Sequence, residues 1–200
     1  VVKQLLALVS TLLLALFVAT QDGAAQDGGR LRTEPWPQEV LDLAARLPIQ
    51  EGGRVKPLHT FAGFQMQRLN GKRSLKTASG ERLTPVAWVL DCMFFPEQAH
   101  KYEVVEINDY KVVESIGLPH SGKRRKDRYS YAQLEPGFGA LSRQSQHIGE
   151  KEADLRSSRE QQILRLSHKL TELRLLLSSM DFARLEQRVD NVAELAELFP

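Results

Sequence analysis

Five histidines, one cysteine and a run of cations are the residues of this chain whose chemistry could be put to work. His59, His100, His120, His147 and His168 fall on different expected elements, and no two stand at the i, i+4 spacing that sets a pair of metal ligands on one helix face. His120, beside a basic stretch, is the single candidate for an axial haem ligand. Cys92 lies in the apolar run VLDCMFF, where a thiol is expected to be a small buried hydrophobe. Being alone it forms no disulfide within the chain and no CxxC pair, and without CxxCH the chain itself carries no covalently attached c-type haem. Nucleophile elbow, HExxH, P-loop and GxGxxG patterns are all missing. What remains is charge. Pro119 to Asp127, PHSGKRRKD, sets Lys123, Arg124, Arg125 and Lys126 together, with Arg128, Tyr129 and Tyr131 next to them, while Arg54 and Lys56 add cations upstream. Such groups bind: they suit haem propionates, lipid headgroups or an acidic partner face. The expectation is a binding or scaffold domain with no catalytic residue and no metal site, whose function responds to charge more than to histidine. A net charge of +2 is too mild to drive the chain onto nucleic acid.

The elements that must position these residues read as mainly α. Residues 1–20 form a signal peptide or membrane anchor, 21–33 a linker, 34–141 a small helical domain and 142–200 a long helical hairpin. Within the domain, Val40 to Leu47 has a short amphipathic pattern that Pro48 closes. Gly52-Gly53 frees the backbone for a turn, and a helix follows Pro57 until Asn70-Gly71 stops it. Lys72 to Arg82 reads as a polar connection. Thr84-Pro85 is an N-cap and first-turn proline opening the most apolar helix, Val86 to Phe95. Trp88, Leu90 and Phe94 are expected to bury against Phe61, Phe64 and Leu69. Tyr102 to Ile107 alternates as a strand whose partner is Arg128 to Tyr131, so at most one two-stranded element is expected. Asn108-Asp109 begins a short helix that Gly117 caps. From Ser142 the pattern predicts one long helix, with Ile163, Leu166, Leu170, Leu173, Leu177 and Met180 forming a seam against another helix. A turn at Ser178-Ser179 would return the chain as an antiparallel arm beginning at Asp181.

The N-terminus reads as a membrane-targeting device. Lys3 precedes an almost wholly apolar run, Leu5 to Ala19, and Asp22 and Asp27 follow it. The charge order puts the start in the cytoplasm and the remainder outside. Small residues at Gly23-Ala24-Ala25 fit signal-peptidase cleavage, whereas an uncleaved helix that includes Val1 and Val2 would approach spanning length.

As it stands, GGRVKPLHTFA resembles the GGRVKPLDTxAR segment in the extracytoplasmic part of CcsA/CcsB-type (system II) cytochrome c biogenesis proteins. NGKRSL, LTPVAWVLDCMFFPEQAHKYEVVEIND, ESIGL and KRRKDRYSYAQLEP resemble the same region in the same order, so the likeness covers roughly Leu47 to Pro136. His59 stands where that family usually has Asp, and Gly63 where it often has Arg; its tryptophan-rich WxWD-like segment has no counterpart here, so no family haem ligand carries over. The resemblance implies a role in moving haem across the bacterial inner membrane and presenting it to apocytochrome CxxCH motifs. It implies a membrane-embedded haem transport and ligation module as partner, apocytochrome c as a further one, and the periplasmic side as location. Haem would then be held by the larger assembly and not by this chain alone. The competing expectation is an unrelated envelope-located helical interaction domain.

Overall fold

A computed structural model describes residues 31–120 and 126–184 of the chain. After an extended strap, α1 (Gln38–Arg46) is followed by a hairpin of β1 (Pro48–Glu51) and β2 (Arg54–Pro57), then α2 (Leu58–Asn70). A second hairpin joins β3 (Leu75–Lys76) to β4 (Arg82–Leu83), and α3 (Pro85–Phe94) and α4 (Pro96–Ala99) follow. Next come β5 (Val105–Ile107), α5 (Tyr110–Ser115), β6 (Asp127–Tyr129), α6 (Tyr131–Leu134), α7 (Phe138–Gly149), α8 (Ser158–Leu177) and α9 (Asp181–Arg184).

The mainly helical class is as expected, and the local signals act as read. Thr84 Oγ1 accepts from the Ala87 amide with Pro85 at the first helical position, and Asp109 caps α5 through the Lys111 amide. Gly71 ends α2 in the left-handed conformation. The strand expected near residues 102–107 is β5, and it pairs antiparallel with β6, Val105 opposite Tyr129.

The β content is a correction. There are three two-stranded ladders among the described residues, not one. Gly52 and Gly53 both take positive φ, 57° and 74°, which is the backbone of a tight hairpin turn and so pairs Pro48–Glu51 with Arg54–Pro57. The supposed polar connection holds the second ladder, where the Thr77 amide donates to the Glu81 carbonyl and Gly80 supplies a φ of 89°.

The long helix from Ser142 is also corrected. Its first part belongs to α7, which ends at Gly149; a 3-10 turn follows, and Ser157 and Glu160 restart the chain as α8 with a reciprocal capping box. The seam residues Ile163, Leu166, Leu170, Leu173 and Leu177 are buried, and α8 packs on α7 and α3, both upstream of it. Residues 1–30, with the signal or membrane helix, and 185–200, with most of the second hairpin arm, lie outside the described residues. No described helix is long and apolar enough to cross a membrane.

The centre of the core is α2 against α3. Leu58, Ala62, Met66 and Leu69 recur along one face of α2, and Trp88, Val89 and Cys92 meet the same cluster from α3. Burial pushes the Cys92 thiol pKa well up, as fits an inert core thiol. Trp88, Leu90 and Leu69 are buried as expected, and Phe61 packs partly against the core. Phe94 and Phe64 are not: they stay 41% and 49% exposed, because each faces away from the α2–α3 contact. Phe64 is flanked by Lys56 Nζ at 5.9 Å and Arg73 Cζ at 5.6 Å from its ring centre.

Candidate functional site

Two polar clusters stand out. The first is built on Asp91, wholly buried in the middle of α3. An unpaired carboxylate there would be prohibitive, and its partners come from three directions. Arg32 Nε donates at 2.9 Å, Trp36 Nε1 at 2.8 Å and the Tyr102 hydroxyl at 2.8 Å. Arg32 also reaches Glu81 at 3.1 Å, and its backbone amide donates to Gln98 at 2.8 Å. Burial alone would lower the Arg32 pKa, but the Asp91 hydrogen bond and charge, with Glu81, carry it above its usual value. Burial and the Asp91 hydrogen bond likewise hold the Tyr102 hydroxyl pKa above the usual phenol range, so Tyr102 stays a donor. The cluster is a staple. It fixes the strap at residues 32–36 to the core helix and presents no reactive group to solvent.

The second cluster is organised around Arg128 and opens onto a cleft. Arg128 stands opposite Glu106 in the β5–β6 ladder and donates to it at 3.2 Å. Its Nε donates to Asn70 Oδ1 and its terminal nitrogen to the Asn70 carbonyl at 3.0 Å. Asn70, almost fully buried, donates in turn to the Ser74 carbonyl at 2.8 Å. Beneath them Lys169 of α8 donates to the carbonyls of Leu69 at 3.1 Å and Glu106 at 2.8 Å. Burial lowers the Lys169 pKa and the Glu106 charge works against that shift. Gly71 is demanded twice over, by its φ of 69° and because a Cβ there would stand 2.8 Å from Glu106 Oε2. Beside this joint lies an open cleft of about 560 Å³ whose charged lining residues are Lys72, Lys76, Arg82 and Arg128 with Glu103 and Asp127. Lys72, Lys76 and Arg82 are exposed, and among charged lining residues cations outnumber carboxylates. The arrangement can hold an anionic group or an acidic surface.

The structure distributes the sequence-derived candidates unevenly. Arg128 is at the cleft, and Lys126 sits next to it, 63% exposed and 3.3 Å from Glu106. Lys123, Arg124 and Arg125 lie outside the described residues. Tyr129 and Tyr131 are core residues, 4% and 6% exposed: the β5–β6 pairing turns Tyr129 inward, and Tyr131 packs against His100 and Phe138. Neither offers a contact surface. Arg54 and Lys56 belong to the β1–β2 hairpin and do not line the cleft; Lys56 pairs with Glu51 at 2.5 Å and so pulls that carboxyl's pKa down.

His120, the candidate axial haem ligand, is engaged by its neighbours. Its Nδ1 stands 2.9 Å from a Glu114 oxygen and its ring stacks on Tyr110 at 4.0 Å, in a partly exposed polar setting. Among the described residues no three His, Cys, Asp or Glu side chains are grouped as metal ligands. Asn70, Glu106 and Lys169 of the cleft, and Arg32, Trp36, Asp91 and Tyr102 of the staple, were missed in the sequence. Asp91 carried a signal, since a lone carboxylate inside VLDCMFF requires buried donors; Asn70 and Lys169 carried none, because their partners are backbone carbonyls or residues distant in sequence. Comparison with protein-family models and with curated proteins finds no match to this chain.

Proposed function

We propose that this chain is an extracytoplasmic scaffold region of a cytochrome c assembly protein, which holds a membrane-embedded haem transport and ligation module, and through it an apocytochrome, without catalysing a reaction itself. The reading starts from the sequence resemblance. The single observation that supports it is the Asn70–Arg128–Glu106 joint: these three residues come from three separate stretches that resemble the family, NGKRSL, KYEVVEIND and KRRKDRYSY, and they hold one another at the wall of the cationic cleft. A joint that ties three of the resembling stretches together is a sound place for a shared partner contact. Its chemistry is that of cations awaiting carboxylates, whether haem propionates or an acidic protein face.

The test is a pull-down of the tagged chain from detergent-solubilised membranes, followed by haem staining. A haem-staining membrane protein should co-purify, and its recovery should fall when Lys72, Lys76 and Arg82 are replaced by Ser. Recovery of envelope proteins that neither stain for haem nor belong to cytochrome assembly would replace this reading by that of a general helical interaction domain.

A further inference from the structure

The staple at Asp91 has an outer side. Trp36, whose indole N–H is spent on Asp91, turns its ring edge-on to Phe94 at 6.3 Å and Phe95 at 5.7 Å. Beyond the extended Pro37, Val40 and Leu43 of α1 stand three residues apart and are both exposed, while Trp36 itself, in the strap ahead of the helix, is partly buried against the core. Val40 and Leu43 mark the outer face of α1, since Ala44 supplies the buried contact and Leu41 and Ala45 pack partly on the core. Leu43 is 70% exposed and Leu31, at the head of the strap, 54%. Single exposed leucines are ordinary, but a stripe that runs from a strap through a tryptophan onto a helix is the composition of a docking face.

We infer that this face, Leu31, Trp36, Val40, Leu43 and Phe94, lies on the surface of the lipid bilayer that the apolar run Leu5 to Ala19 enters. The inference rests on the reading that this run is membrane-inserted. Leu31 stands twelve positions after Ala19, so a fully extended chain lets the strap stand at most about 40 Å from the end of the inserted run. With Arg32 and Trp36 bonded to Asp91, the strap through which the chain enters the folded domain is held beside the apolar stripe. A Trp with its N–H satisfied and its ring beside two Phe and a Leu-bearing helix suits the interfacial layer of a bilayer. The exposed charges around it, Glu34, Glu39 and Asp42 against Arg46, are mostly acidic. Attraction to anionic lipid therefore contributes nothing, and insertion of apolar side chains drives the contact.

The chain's two tryptophans make the test direct, because Trp88 is wholly buried and Trp36 is at the stripe. The full, uncleaved chain is reconstituted into phosphatidylcholine vesicles with or without bromine on the upper acyl carbons, and tryptophan emission is read. Brominated lipid should quench the Trp36 share of the emission, equally at low and high salt, and Trp36→Phe should abolish that loss. A Val40→Ser, Leu43→Ser pair leaves the staple whole and should reduce the quenching while the unfolding midpoint stays unchanged. Vesicles that float with the chain bound but give equal emission in brominated and plain lipid would overturn the docking inference, leave the export reading standing and turn the stripe over to a protein partner. A chain that fails to float with the vesicles would overturn both.

Discussion

Around Asp91 the charges are inside and apolar side chains face out; at the cleft beside Arg128 cations face out and the apolar side chains are buried. At the staple Arg32 and Asp91 are nearly or wholly buried while Leu43 and Phe94 reach solvent. At the cleft Leu75, Leu83, Val105 and Tyr129 are buried while Lys72, Lys76 and Arg82 are exposed. The second arrangement is what water imposes on any folded chain. The first is costly in water alone, since it desolvates an ion pair and leaves apolar area wet, and it makes physical sense where something other than water covers the outside. The two proposals accordingly assign the regions different partners: an apolar layer at the strap, an anionic group at the cleft.

The comparison breaks most sharply at Asp91. Asp91→Ala leaves the Arg32 guanidinium with Glu81 and the Glu34 carbonyl and deprives Trp36 and Tyr102 of their acceptor, so chemical denaturation of the purified protein should show a loss of about 3–5 kcal/mol. A loss within about 0.5 kcal/mol, the range of an ordinary surface change, would mean that the strap is not stapled.

The neighbouring pair of apolar residues sharpens the same point. Met66→Ala, in the fully buried α2–α3 contact, should cost about 2–5 kcal/mol. Phe94→Ala should cost only about 1 kcal/mol in detergent-free solution, because its ring is largely wet and loses chiefly the Trp36 edge contact. Equal costs in parallel urea titrations would place Phe94 in the core and remove the apolar outer face.

How far the sequence disclosed these regions follows from the range of the interactions involved. Caps and breakers act within four residues, so Thr84-Pro85, Asp109 and Asn70-Gly71 were readable directly. The β1–β2 hairpin was half readable: Gly52-Gly53 announced the turn, but RVKP lacks the alternation of a buried strand, and Val55 is in fact exposed. Phe94 was misplaced because every position of α3 is apolar or aromatic except Asp91, so periodicity could not say which side was the outside. The break at Gly149 was visible as a glycine, and the Ser157–Glu160 capping box was written in the sequence; the strong leucine seam downstream outweighed both. The cleft was legible only as a run of cations. Its joint depends on contacts between residues 22 to 100 positions apart, which no local pattern encodes.

The claim that the cleft acts through charge is met most directly in cells that lack this gene and carry plasmid copies of it. Covalently haem-bearing cytochrome c should fall several-fold with Lys72→Ser, Lys76→Ser and Arg82→Ser combined, in protein that is present at normal level, and should be unchanged by His120→Ala. Full cytochrome c maturation with the triple variant, together with its loss in His120→Ala, would contradict the account and make the histidine the functional group.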